Sequence, residues 1–149
     1  MHSLLIGLHA GTGLIALIAG GIALYRGRFF DVYLASLVAT TVFLALAVAV
    51  EWTLLGAGSR VLFTAFTLLA GVMVARGVLA RRLPPRSPAH LEHLGFTLVG
   101  LFDAFVVIAV LNAGAPIWLV VTSGVLIAVG GHVALQATKR ALAGEPVPV

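Results

Sequence analysis

Residues 90–114, HLEHLGFTLVGLFDAFVVIAVLNAG, decide the fold. The stretch is apolar over more than the ~20 residues that an α-helix needs to cross ~30 Å of hydrocarbon. Yet it opens with His90, Glu92 and His93 and carries Asp103 near its middle. A soluble helix would place such groups on a polar face. Here the surrounding residues are apolar on every side, so the solvent implied is lipid.

The whole chain agrees with that stretch. Its 149 residues are 61% hydrophobic and 9% charged, and the mean hydropathy is +1.16. That is too little charge to cover a soluble domain. Five apolar segments follow one another, at about residues 4–25, 32–52, 61–79, 88–111 and 117–137. Each must be helical, because hydrocarbon offers no partner to backbone N–H and C=O groups. The sequence therefore predicts an all-α fold: an integral membrane bundle of five transmembrane helices, forming one domain over 1–149, with a short cytoplasmic tail from 138. Ser87-Pro88 reads as an N-cap followed by proline at the first helical position. Leu55–Ser59 reads as the link between the second and third segments, and Asn112–Pro116 as a tight turn. The closing Gly144–Val149 is expected to fray.

Basic residues set the expected orientation. Arg26, Arg28, Arg76, Arg81, Arg82, Arg86, Lys139 and Arg140 fall on one side of the five spans, and only Arg60 on the other. By the positive-inside rule the N-terminus is outside and the C-terminus cytoplasmic. Trp52 and Trp118 then both lie at the outer interface. The first segment has no basic n-region and ends in arginines rather than at a small-residue cleavage site, so it reads as a retained helix rather than a signal peptide. The expected location is a cytoplasmic (inner) membrane, with the lipid bilayer as the first partner and either another membrane protein or a second copy as a further one. The basic balance is accounted for by loop topology, so no nucleic-acid partner is implied.

With no cysteine, thiolate metal sites and disulfides are excluded. No glycine-rich phosphate loop, nucleophile turn or His-x-x-x-His pair is present, and the loops are too short to hold a catalytic domain. No metal site is expected. What remains is a set of ionisable residues inside the spans, which are costly there and therefore candidates for function. His93 and His132 would each sit ~8–10 Å inside the cytoplasmic boundary, on helices joined by a short turn. Two histidines at one depth on facing helices are a ligand pair for haem b, with Gly95, Gly100, Gly130 and Gly131 making room for the porphyrin. Interfacial histidines bonded to backbone or headgroups are the plainer alternative. Asp103, near mid-bilayer, shares a helix face with Glu92 rather than with His93. It has three readings: a structural bond to a threonine such as Thr40, Thr41 or Thr67, a proton or ion carrier, or contact with a ligand or partner subunit. His9 and Glu51, both in the outer half of the first hairpin, would pair as a proton relay. Small residues would let helices approach closely, at Gly13, Ala16 and Gly20 in the first helix, Gly71 and Ala75 in the third, and Gly124 and Ala128 leading to His132 and Gln136 in the fifth.

Two regions, LHAGTGLIALIAGGIALYRGR (8–28) and HLEHLGFTLVGLFDAFVVIAVLN (90–112) followed by Pro116-Ile117-Trp118-Leu119, resemble a family of uncharacterised bacterial multi-pass membrane proteins. The resemblance covers about half the chain and rests on His9, on His90 or His93, on Ala104-Phe105-Val106, on Asn112 and on Trp118-Leu119. It implies the membrane fold and names no activity. The sequence departs from it at Asp103, where a small hydroxyl residue is expected, and in lacking a histidine after the first basic loop.

The expected function is non-enzymatic: a small membrane subunit or small-ligand-binding bundle. Two alternatives stand beside it. One is a haem-b or quinone-linked redox protein using His93 and His132. The other is a proton-coupled carrier using Asp103, with His9 and Glu51.

Overall fold

A computed structural model describes residues 2–143, and these are helical throughout apart from short connections, with no strand among them. The helices are α1 (His2–Arg26), α2 (Phe30–Glu51), α3 (Ala57–Arg81), α4 (Pro88–Asn112) and α5 (Ile117–Ala143). Each contains a stretch of 22 to 25 residues long and apolar enough to cross a membrane. Large apolar side chains remain exposed along them, for example Leu68 at 68%, Val125 at 56% and Val133 at 60%. Such a surface is costly in water and at home in lipid.

The chain forms two compact units, Met1–Val78 and Leu79–Val149. In the first, α1 and α2 form an antiparallel hairpin. Its turn is tight because Gly27 (φ 66°) and Phe29 (φ 65°) both take left-handed backbone, a conformation that costs a phenylalanine and not a glycine. Gly13, Ala16 and Gly20 are buried, as the small-residue spacing of α1 predicts. Gly71 and Ala75 of α3 are exposed instead. The close approach in α3 is at Gly77, where a Cβ would lie 3.0 Å from Leu34 Cδ1 and 3.4 Å from the Tyr33 hydroxyl of α2.

In the second unit α4 and α5 form the other hairpin. Pro88 occupies the first turn of α4, and the Ser87 hydroxyl accepts from His90 N–H at 3.2 Å, so the cap lies where the sequence places it. The turn into α5 closes through Gly114 (φ 75°). The two helices approach closely through glycines. A Cβ at Gly131 would lie 2.5 Å from Val99 Cγ2, and one at Gly95 would lie 2.7 Å from Leu135 Cδ1.

Three boundaries differ from the hydropathy reading. The connection after α2 is shorter, because Ala57, Gly58 and Ser59 already belong to α3. Leu54 N–H and Leu55 N–H both bond Glu51 O, at 2.8 and 3.1 Å, which closes the turn early. α3 runs on to Arg81, and α5 passes through 138–143 to Ala143, because a helix does not stop where hydrophobicity does. The expected fraying of Gly144–Val149 lies outside the described residues.

Candidate functional site

The polar side chains inside the helices divide into those that are bonded and those that are not. The first group builds a clamp between α1 and α2. His9 Nδ1–H donates to Thr40 O at 3.0 Å. The hydroxyls of Thr12 and Thr40 bond each other at 2.7 Å, and the Thr40 hydroxyl also reaches His9 O at 3.3 Å. The geometry thus employs His9 as a helix-to-helix fastener. Glu51 lies eleven residues beyond Thr40 on α2, ~16 Å along the axis, so the structure does not bring His9 and Glu51 together. Thr41 and Thr67 bond back to the carbonyls of Leu37 and Phe63 in their own helices.

His90, one of the polar groups that open the α4 stretch, is the second fastener. It is buried, and its Nδ1–H donates to Ala80 O at 2.8 Å, tying the end of α3 to the start of α4. At the same end Lys139 of α5 donates to Glu92 Oε2 at 2.8 Å.

Among the described residues, two buried side-chain polar atoms have no hydrogen-bond partner: Asp103 Oδ1 and His93 Nδ1. Both belong to α4. Their ten-residue spacing sets them ~15 Å apart along the helix. Asp103 lies at the contact with α5. A Cβ built on Gly124 would be 3.5 Å from Oδ1, 3.9 Å from Oδ2 and 3.3 Å from Val107 Cγ2. Glu92 also reaches α5, through Lys139, so Asp103 and Glu92 share a face, as eleven residues at 100° each predict. Leaving a buried polar atom unbonded costs free energy, so Asp103 and His93 are the positions where burial of a polar atom is left uncompensated.

His93 and His132 are not brought together. The close contacts set the register of the hairpin: Gly95 against Leu135, Val99 against Gly131 and Glu92 against Lys139. His132 is therefore level with about residue 98, roughly 7 Å along the axis from His93. It is also exposed, while its neighbour Gly131 faces α4. Counting each histidine from its own helix end misses this, because α5 runs past the basic residues used as its boundary. Two of the glycines expected to house a porphyrin are filled: Leu135 occupies the space over Gly95 and Val99 that over Gly131, whereas Gly130 faces open space. The stripe Gly124–Ala128–His132–Gln136 does not form a seam either. Steps of four drift by ~40° each on a 3.6-residue helix, whereas 124, 131 and 135 stay aligned. No cluster of three or more His, Asp or Glu residues suited to a metal occurs among the described residues.

Comparison of the chain with protein-family models, with curated proteins and with solved structures finds no match.

Proposed function

We propose that the chain is a non-enzymatic multi-pass membrane protein, a small subunit or ligand-binding element whose working group is Asp103 on the α4–α5 hairpin. It lies in a cytoplasmic-type membrane with its N-terminus outside and its C-terminus in the cytoplasm. Five apolar helices and the eight-to-one division of basic residues support the location. The observation that carries the role is the buried, unbonded Oδ1 of Asp103. His9, Thr40 and His90 are used in fastening one helix to another, whereas Asp103 stands at a helix contact with Oδ1 unbonded and open to a ligand or a partner's side chain. The test is to purify the chain from a native membrane with and without Asp103→Asn. Loss of a co-purifying partner or bound small molecule in the variant, with folding intact, supports the reading. Unchanged composition in both preparations overturns it.

A carrier reading is favoured by one further observation: His93, the second unbonded group, lies on the same helix. In that case Asp103→Asn abolishes pH-driven flux in reconstituted vesicles. Wild-type vesicles with no flux remove this alternative.

A further inference from the structure

We infer a phospholipid site on the first unit, at the end of the α2–α3 pair, where Arg60 holds an anionic headgroup and one acyl chain lies in the trough beneath it. Two adjoining hollows of about 530 and 520 Å³ share Trp52, Thr64 and Leu68, and extend to Ala45 and Val48 on α2. Both are open along their length, so they form a trough between α2 and α3 rather than a closed pocket. The trough is almost wholly apolar and charged at one end. Arg60 stands there as the single basic residue on that side of the five spans.

Arg60 is held ready for an anion. Its guanidinium carbon lies 5.7 Å from the centre of the Trp52 ring. Its Nε–H donates to Trp52 O at 3.0 Å, and Nη2 reaches Thr53 O at 3.5 Å. These contacts fix the plane of the fork and use backbone carbonyls, not carboxylates, so its charge is not neutralised by them. A fixed guanidinium beside an interfacial tryptophan suits a phosphate, which it can bond in two places.

The length of the trough selects the occupant. Below Arg60 it follows α3 for eight residues, down to Leu68, or ~12 Å. That covers most of one leaflet, half of a ~30 Å hydrocarbon layer. A chain hanging from a headgroup at Arg60 would end near Leu68. A second copy of this protein fits less well, because it would bring another Arg60 to the same depth, with Glu51 as the one acid between residues 32 and 91.

The inference rests on membrane insertion and not on the role of Asp103. It is tested in lipid nanodiscs. The chain has two tryptophans, so a Trp118→Phe background leaves Trp52 as the only emitter. Phosphatidylcholine nanodiscs receive a minor share of phosphatidylglycerol with dibrominated chains, which quench tryptophan on contact. We expect quenching to exceed that given by mole fraction, with about fivefold local enrichment, the effect of one basic residue on an anionic lipid. Arg60→Gln should return it to the mole-fraction value. Ala65→Phe, which fills the trough and keeps Arg60, should do the same. Quenching at mole fraction in the parent, or an excess untouched by Arg60→Gln, overturns the site while leaving insertion standing. An absence of quenching overturns insertion as well. Since the chain has no cysteine, Leu68→Cys adds one control: disulfide dimers on oxidation would show a second copy in the trough and refute the lipid.

Discussion

Replacing Asp103 with leucine should make the isolated protein more stable. The two side chains have nearly the same branched shape, so the leucine methyls would occupy the places of Oδ1 and Oδ2. Those places face Val107 Cγ2 and the bare backbone of Gly124, an environment suited to a methyl group. Oδ1 makes no hydrogen bond, so none is lost. Removing a buried polar group without a partner recovers about 1–3 kcal/mol, and the added apolar contact does not oppose it. A gain of that size is about fivefold to about a hundredfold in the unfolding equilibrium at about 1.4 kcal/mol per decade. The assay is reversible unfolding in mixed micelles, titrated with denaturing detergent and followed by circular dichroism. Asp103→Asn, which keeps the polarity, serves as the control and should lie within about 0.5 kcal/mol of the parent. A leucine variant less stable than the parent by 1 kcal/mol or more would refute the reasoning, since it would mean that the carboxyl group is bonded in the folded protein. A variant that is stabilised yet loses its partner or ligand would identify Asp103 as a residue kept at the expense of stability.

Other substitutions probe the packing and the fasteners. Gly131→Ala should cost about 1–3 kcal/mol, because its methyl would meet both Val99 methyls at 2.5 and 2.6 Å and a β-branched chain cannot swing aside. Adding Val99→Ala should restore most of that loss in the same micelle titration. Gly95→Ala should cost less, since the clash is with the movable end of Leu135. His90→Ala strips the buried bond to Ala80 O and should lower stability by about 1–3 kcal/mol, seen as faster proteolysis of the 82–87 connection. Lys139→Gln should change stability by less than about 1 kcal/mol, because its partner Glu92 is half exposed, and the difference should shrink at high salt.

The helices were legible because lipid imposes one rule on every residue of a span: the backbone must bond to itself, and apolar length reports the result. Ser87-Pro88 marked the start of α4 for a local reason, a cap and its proline. The site was less legible because its meaning depends on register between helices. Asp103 was singled out by cost alone, and the structure adds that Gly124 faces it. His93 and His132 were matched by depth counted from helix ends, and the helix ends moved. His9 was expected to pair with Glu51, but its partner is a backbone carbonyl, which carries no residue identity for a sequence to reveal. The stacking of Arg60 on Trp52 had a signal that went unused: a lone basic residue eight positions from an interfacial tryptophan, across a short turn.

The glycine contacts of α4 and α5 also limit how the hairpin can move. Val99 sits over Gly131 because a glycine leaves room for it. Were α4 to slip along α5 by one turn, ~5.4 Å, Val99 would come to rest on Ile127 or on Leu135, and neither leaves that room. The hairpin is a ratchet with a single notch. A piston stroke that carries Asp103 through the membrane is therefore closed to it. Any change that exposes that carboxyl to a different side must come from the pair tilting or swivelling as one rigid lever.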